Sequence, residues 1–151
     1  MNALLAAVVL LTADTIVVDK SDHTLTLYRH GQAMKTYSVS FGREPVGRKD
    51  REGDDRTPEG RYVIDSRNVH SKYHIALHVS YPNAEDVRRA RAAGVSPGGA
   101  IMIHGLRDDF AWLGRLHRFV NWTHGCIAVT DDEIEEIARA VPNGTPITIQ
   151  P

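Results

Sequence analysis

Short stretches in which every second residue is apolar recur along the chain, and they limit its fold more than any other feature of the sequence. Leu25 and Leu27 alternate with threonines, and residues 73–80 alternate in the same way. A period of two is typical of strands that bury one face. Turn residues at 21–22 and 31–32 separate the early stretches. The sequence therefore predicts a mainly β fold that opens with a meander.

Only two segments have a clear helical pattern. Residues 84–93 are short and charged, and residues 130–141 carry an apolar stripe behind a capping box of Thr130 and Glu133. Residues 110–120 have aromatic residues at helix-like spacing and are predicted as a short helix or an ordered loop. The remainder is predicted as strands, turns and loops, so we expect one mainly β domain with few helices.

One long segment lacks both patterns. Residues 42–60, called the charged loop below, contain two prolines, four glycines and many charges of both signs, with almost no apolar side chains. Such a composition predicts a long exposed loop. A loop of this length in a compact domain is usually functional or mobile. The alternative is a solvent-exposed loop without a functional role.

The length and charge of the chain exclude several classes of protein. With 151 residues and a net charge of -1, it is predicted to be a single domain and a monomer without the basic surface of a nucleic-acid binder. Residues 1–13 form an apolar run that is too short to span a bilayer. We interpret this run as the hydrophobic region of a secretory signal or as a buried first strand, with the domain itself over residues 14–151 and the protein exported.

The single cysteine, Cys126, lies in the string T-H-G-C-I. One cysteine excludes an internal disulfide and a multi-cysteine zinc site. A cysteine that attacks acyl carbons needs a base beside it, and the candidates are His124 and His104, which ends a predicted strand 22 positions earlier. Gly125 leaves the backbone open beside the sulfur, so main-chain N–H groups there could line an oxyanion hole. The alternative is a small buried cysteine without a chemical role.

Other histidines raise the question of a metal site. Three of them recur at a spacing of four residues: His70, His74 and His78. On a strand such neighbours are about 13 Å apart, so they cannot bind one ion and no metal is expected there. A zinc hydrolase that uses His104, His117 and His124 is a weaker alternative, which metal analysis of the purified protein would test.

The string T-H-G-C-I, with I-H-G before it, resembles the L,D-transpeptidase catalytic domain, the YkuD-type fold. That family carries a histidine, a variable segment, and then Ser/Thr-His-Gly-Cys followed by a hydrophobic residue. Upstream, I-V-V-D-K with L-T-L-Y resembles its first hairpin, and G-D-D-R-T-P-E-G-R-Y resembles its approach to the next strand. The resemblance covers about residues 15–150. It also predicts that the charged loop borders the active site.

The resemblance implies a β-sandwich or barrel-like domain in which Cys126 is the nucleophile. His104 would be its base, oriented by the main-chain carbonyl of Gly105 rather than by a carboxylate. Five residues would shape the substrate pocket and, with the Cys126 N–H, the oxyanion hole: Tyr73, Gly105, Thr123, His124 and Gly125. Family members act on bacterial peptidoglycan stem peptides through a thioester and use no metal or organic cofactor. The implied partners are therefore stem peptides, and the implied location is the periplasm or the cell-wall face.

Two features depart from the family pattern and leave the reaction open. Ala128 stands where many members carry Arg or Asn, and the segment between His104 and Thr123 is slightly longer than usual. These features resemble a divergent branch that includes hydrolytic enzymes. Ala128 would leave the site wider and wetter, which favours hydrolysis. Four apolar residues could instead form a lid that favours transfer: Trp112, Leu113, Phe119 and Trp122.

We favour acyl transfer to an amine. The first alternative is an amidase or L,D-carboxypeptidase of the same fold, which would use water in place of the amine. The second is a non-catalytic domain that binds cell-wall peptides. The chain retains the thiol, the histidine and the glycine together, which disfavours a non-catalytic domain.

Overall fold

The computed structural model describes residues 11–151. In that range the backbone forms a single curled sheet of eight strands, in the order β3-β2-β1-β8-β4-β5-β6-β7. The strands are β1 (Thr15–Asp19), β2 (Thr24–Arg29), β3 (Gln32–Ser38), β4 (Gly60–Ser71), β5 (His74–Val79), β6 (Met102–His104), β7 (Ile127–Ala128) and β8 (Pro146–Gln150). The helices are α1 (Ala84–Ala92), α2 (Asp131–Ala140) and a 3₁₀ segment (Asp108–Phe119). The prediction of a mainly β fold with few helices is confirmed.

Most predicted strands are present, with shifted ends. The alternation at residues 73–80 forms β5 over His74–Val79, and the strand predicted before His104 is β6. β7 was not predicted, because two residues are too few to show an alternation. The interpretation of residues 1–13 falls mainly on residues 1–10, which lie outside the described range.

The middle of the sheet is held by β8, the last strand in the chain. It pairs in parallel with β1 and antiparallel with β4, with Ile147 opposite Ile16 on one side and Tyr62 on the other. β1, β2 and β3 form the antiparallel meander that the alternation predicts. On the other half, β5 pairs antiparallel with β6, which pairs in parallel with β7. The short strands β6 and β7 thus form one edge.

Helix α2 packs against β5 and β6 and closes the core on the side of that edge. Its N-terminus carries the predicted capping box, because the Thr130 hydroxyl accepts from the Glu133 N–H and the Glu133 carboxylate accepts from the Thr130 N–H. Ile134 and Ile137 are completely buried, and each such side chain contributes about 1.5–3 kcal/mol of burial free energy. No helix within residues 11–151 is both long and apolar enough to cross a membrane.

Candidate active site

His104 and Cys126 are brought to one cavity by the pairing of two short strands. β6 ends at His104 and β7 begins directly after Cys126. The two strands run parallel, with Ile103 opposite Ile127 and His104 opposite Ala128. Both side chains line an open cavity of about 800 Å³. The main-chain ladder therefore positions a thiol and an imidazole that are 22 residues apart in sequence.

The imidazole of His104 is buried and held in one orientation. Its Nδ1–H donates to the carbonyl of Gly105 at 2.6 Å; because a carbonyl only accepts, the neutral ring keeps its free lone pair on Nε2. The rings of Tyr73 and Trp122 pack beside it, with centroids 4.3 and 5.8 Å away. Burial lowers the pKa of His104 to about 4, and the Gly105 hydrogen bond opposes this effect. At neutral pH the ring is an uncharged base.

The thiol of Cys126 is neutral in the resting site. Burial raises its pKa, while the N–H of Met102 and the positive charge of Lys49 act in the opposite direction. The Sγ–H donates to the carbonyl of Ala100 at 3.5 Å. The site therefore holds a neutral thiol and a neutral imidazole rather than a preformed thiolate–imidazolium pair.

Thr123 fixes the turn that presents the sulfur. Its hydroxyl accepts from the Gly125 N–H at 3.1 Å and donates to the Cys126 carbonyl at 2.8 Å. The Gly125 N–H is thus already used. The Cys126 N–H forms no hydrogen bond within residues 11–151, so it is the main-chain donor beside the sulfur that remains open to a ligand.

The charged loop packs directly on this turn. A Cβ on Gly125 would lie 2.6 Å from the Arg56 carbonyl oxygen, and one on Gly42 would lie 2.1 Å from that of Asp55. Both contacts are shorter than a carbon–oxygen approach allows, so only glycine permits them. The exposed His124 adds a side-chain link, because its Nδ1 lies 2.7 Å from Asp55 Oδ1. The charged loop therefore borders the cavity, as predicted.

Two buried lysines hold the charged loop in place, although its composition predicted exposure. Lys20, directly after β1, donates through Nζ to the carbonyls of Gly47 and Thr57 at 2.7 and 3.0 Å. It also pairs with Glu59 at 3.0 Å. Lys49 pairs with a carboxylate of the loop itself at 2.7 Å. The two lysine side chains are only 3% and 4% exposed, so the loop has a polar interior of its own.

Replacing Gly125 with alanine is expected to displace the charged loop from the edge of the cavity. The added methyl group meets the Arg56 carbonyl, and the φ of +133° at this position is rarely adopted by a residue with a Cβ. We expect a loss of about 1–3 kcal/mol in the free energy of unfolding, together with a changed rate of Cys126 alkylation. Urea unfolding and timed labelling with iodoacetamide measure the two effects.

Gly53→Ala is the matched control, because Gly53 lies in the same loop with a φ of +77° and has nothing within 4 Å of its added Cβ. It should lose some stability from the backbone conformation and keep the wild-type alkylation rate. Equal alkylation rates in the two variants would show that the contact at Gly125 does not position the loop.

The histidines of the zinc alternative do not converge. His104 and His124 line the cavity, but His117 is buried outside it, with its Nδ1 3.3 Å from the Ser40 hydroxyl. Within residues 11–151 no three His, Cys, Asp or Glu side chains are grouped so that they could hold a metal ion.

The regularly spaced histidines are likewise separate. His74 pairs with Glu135 at 2.8 Å, and His78 pairs with Asp65 at 2.6 Å. His70 lines the cavity of His104 and Cys126 without either of them. Each imidazole therefore belongs to a different local contact.

Two further expectations are changed by the structure. Ala128 is completely buried and does not line the cavity, so the expectation that it widens the site is wrong. Of the four apolar residues expected to form a lid, Trp122 lines the cavity and Leu113 lines a neighbouring one. Trp112 and Phe119 are 77% and 76% exposed and cover nothing.

Several cavity residues were not found from the sequence, among them two cations that lie far from Cys126 in the chain. Arg43, in the charged loop, and Lys72, in the turn between β4 and β5, both line the cavity. No local pattern marks either residue, because both are loop cations far from Cys126 in sequence.

Comparison with known proteins agrees with this architecture. The profile of the YkuD family, described as the L,D-transpeptidase catalytic domain, matches residues 13–149. YafK of Escherichia coli (strain K12), a protein assigned by name to the L,D-transpeptidases, is 31% identical over 132 residues, which are 83% of this chain and 46% of YafK.

Among solved structures, the helical cell shape determining protein Pgp2 of Campylobacter jejuni is 27% identical with a TM-score of 0.67, over 91% of this chain and 46% of that one. Bd1075 of Bdellovibrio bacteriovorus is 25% identical with a TM-score of 0.64, over 92% and 48% of the two chains. The chain thus spans about half the length of these relatives. It belongs to the L,D-transpeptidase catalytic domain (YkuD) family.

Proposed function

We propose that the chain is the catalytic domain of a cysteine-dependent L,D-transpeptidase, which transfers an acyl group from a peptidoglycan stem peptide to an amine. One observation carries the proposal: the thiol of Cys126 and the imidazole of His104 line one cavity, and the Gly105 carbonyl leaves Nε2 of that imidazole as the free base. An imidazole with this tautomer can take a proton from a thiol and return it to an amine.

In the first half-reaction, the thiol leaves the Ala100 carbonyl and gives its proton to Nε2 of His104. The sulfur attacks the carbonyl carbon of the scissile amide, the C–S bond forms, and the C–N bond breaks. The leaving amine takes the proton from Nε2, so the imidazole is neutral again. During the attack, the open N–H of Cys126 is placed to stabilise the negative charge on the carbonyl oxygen.

In the second half-reaction, an acceptor amine attacks the thioester. It gives a proton to Nε2, a new C–N bond forms, and the C–S bond breaks. The sulfur then recovers the proton. Because burial keeps the pKa of His104 low and that of Cys126 high, both groups are neutral before and after each turnover, and charge develops only in between.

Family membership supports peptidoglycan as the substrate and an exported location facing the cell wall. The likeness to Pgp2, which is described as a cell shape determining protein, is in keeping with a role in modifying the wall. Since the chain spans about half of its relatives, this role is proposed for the domain alone.

Transfer is favoured over hydrolysis by an apolar cavity beside the catalytic one. It has a volume of about 350 Å³, and its lining includes Leu106, Leu113, Leu116 and Val120. Phe110 and Trp122 line both cavities. Arg107 lines both cavities as well, and an apolar surface at the edge of the catalytic cavity disfavours water there.

Incubation of tetrapeptide-bearing fragments with the protein, with and without an added D-amino acid, tests the proposal by mass spectrometry. We expect an adduct on Cys126 with the mass of the shortened acyl group, and an exchanged product that depends on the added amine. Shortened peptide alone, unchanged by excess amine, would identify a hydrolase. The absence of both the adduct and the product would contradict the proposed reaction.

A further inference from the structure

The catalytic cavity is lined by positive or basic side chains and by no negative ones. Apart from His104, five such side chains line it: Arg43, His70, Lys72, Arg107 and His124. Among the described residues, no Asp or Glu side chain does so. Such a lining raises the local concentration of anions and disfavours cationic ligands.

Two of these cations are free to bind a ligand. The guanidinium of Arg107 is occupied by Asp109, at 3.1 and 2.8 Å, and His124 is paired with Asp55. Arg43 and Lys72 are exposed, and neither forms an ion pair within residues 11–151.

The two free cations belong to different segments of the cavity wall. The main-chain N–H of Arg43 donates to the Thr123 carbonyl at 3.1 Å, which links this residue to the turn that presents Cys126. Lys72 directly precedes Tyr73, the residue whose ring packs on the His104 imidazole. Arg43 is thus linked through its main chain to the segment of the nucleophile, and Lys72 is next in sequence to a residue that packs on the base.

We propose that Arg43 and Lys72 bind two carboxylates of the acyl donor, one on each side of the scissile amide; this inference rests on the proposed function. His104 must deliver its proton to the leaving amine, so the leaving residue lies on the His104 side of the cavity. Lys72 then binds the terminal carboxylate of the leaving residue, and Arg43 binds a side-chain carboxylate of the acyl residue.

The assignment also defines the acceptor. Once the leaving residue has departed, Lys72 is free again on the side of the base where the incoming amine must stand. An amine that carries its own carboxylate is therefore preferred over a simple alkyl amine. The substrate class is a peptide that ends in a free carboxylate and has an acidic acyl residue, and the acceptor class is an amino acid.

Three synthetic tetrapeptides test the two contacts separately. The parent has a C-terminal carboxylate and diaminopimelate as its acyl residue; the second ends in a carboxamide; the third has lysine in place of diaminopimelate and so lacks the side-chain carboxylate. We expect wild-type protein to prefer the parent over each analogue by about 10- to 100-fold in kcat/KM, the range of a charge-assisted hydrogen bond.

The variants should then separate the two preferences. Lys72→Gln should lose the preference against the carboxamide and keep that against lysine, and Arg43→Gln should show the reverse. Arg115→Gln is the control, because Arg115 is exposed and does not line the cavity; it should keep both. Alkylation of Cys126 by neutral iodoacetamide should be unchanged in Arg115→Gln.

Binding of the same peptides to Cys126→Ala by calorimetry distinguishes failure of this inference from failure of the proposed reaction. If affinity depends on Lys72 and Arg43 as stated but wild-type protein forms no thioester, the carboxylate contacts stand and the reaction is wrong. If thioesters form at equal rates with all three peptides, the reaction stands and the contacts are wrong. Loss of both preferences in Arg115→Gln would also overturn the inference, since a general charge effect would then explain them.

Discussion

Cys126→Ala is expected to abolish turnover and the covalent adduct while leaving the thermal unfolding midpoint close to that of wild type. The reaction proposed for this site has no route that avoids the sulfur, because the chain contains no other thiol. The hydrogen bond from the Sγ–H to the Ala100 carbonyl is long, at 3.5 Å, so removal of the sulfur costs little stability. Product formation and intact-protein mass should be measured on the same sample.

Cys126→Ser provides the sharper control, because it keeps the size and the hydrogen-bonding capacity of the side chain. A hydroxyl beside one neutral imidazole is a much poorer nucleophile than a thiol, so this variant should also be nearly inactive. Full activity in either variant would exclude Cys126 as the nucleophile. Loss of activity together with loss of the folded circular-dichroism spectrum would instead indicate a structural role.

His104→Gln is expected to lower the rate of acylation by about two to four orders of magnitude, which is the usual contribution of a positioned base. Glutamine can still donate to the Gly105 carbonyl, but it has no basic nitrogen. His124→Gln should have a smaller effect, because the exposed His124 is paired with Asp55. If His124→Gln proved the more damaging change, the roles of the two histidines would be reversed.

The pH dependence gives an independent measurement of the same group. With its pKa lowered to about 4, His104 stays neutral far below the pH at which an ordinary histidine becomes protonated. Protonation fills Nε2 and removes the base, so kcat/KM should fall as the pH drops through about 4 rather than through the usual value near 6.5. Circular dichroism at each pH provides the control for unfolding. An acid limb near 6.5 in folded protein would contradict the buried neutral imidazole.

The parts of the fold that repeat a simple pattern could be predicted from the sequence. The alternation at Leu25 and Leu27 predicted β2, and the Thr130–Glu133 capping box predicted the start of α2. β7 could not be predicted, since its two residues form a strand only because β6 lies beside them. A strand of that length is specified by its partner, not by its own periodicity.

The site was predicted only in part, for a related reason. The motif around Cys126 predicted the nucleophile, and the strand before His104 predicted its base; both roles stay predictions, while the two side chains do line one cavity. The ordered conformation of the charged loop was not predicted. It depends on Lys20 and Lys49, and lysine is usually exposed, whereas here both side chains are buried with their partners. Arg43 and Lys72 escaped it as well, because the sequence does not show which loops meet at the cavity.

The parallel pairing of β6 and β7 has a consequence for how such a domain can diversify. Parallel neighbours cannot be joined by a tight turn, so residues 105–125 must cross from the end of one strand to the start of the other. The distance between thiol and imidazole is set by the ladder and not by the length of this crossover. Insertions, deletions or replacements within the 3₁₀ segment can therefore change which ligands the cavity accepts while the thiol and the imidazole keep their relative positions. Specificity can thus change in one stretch of the chain, the crossover, while the position of the reacting groups depends on another, the paired strands.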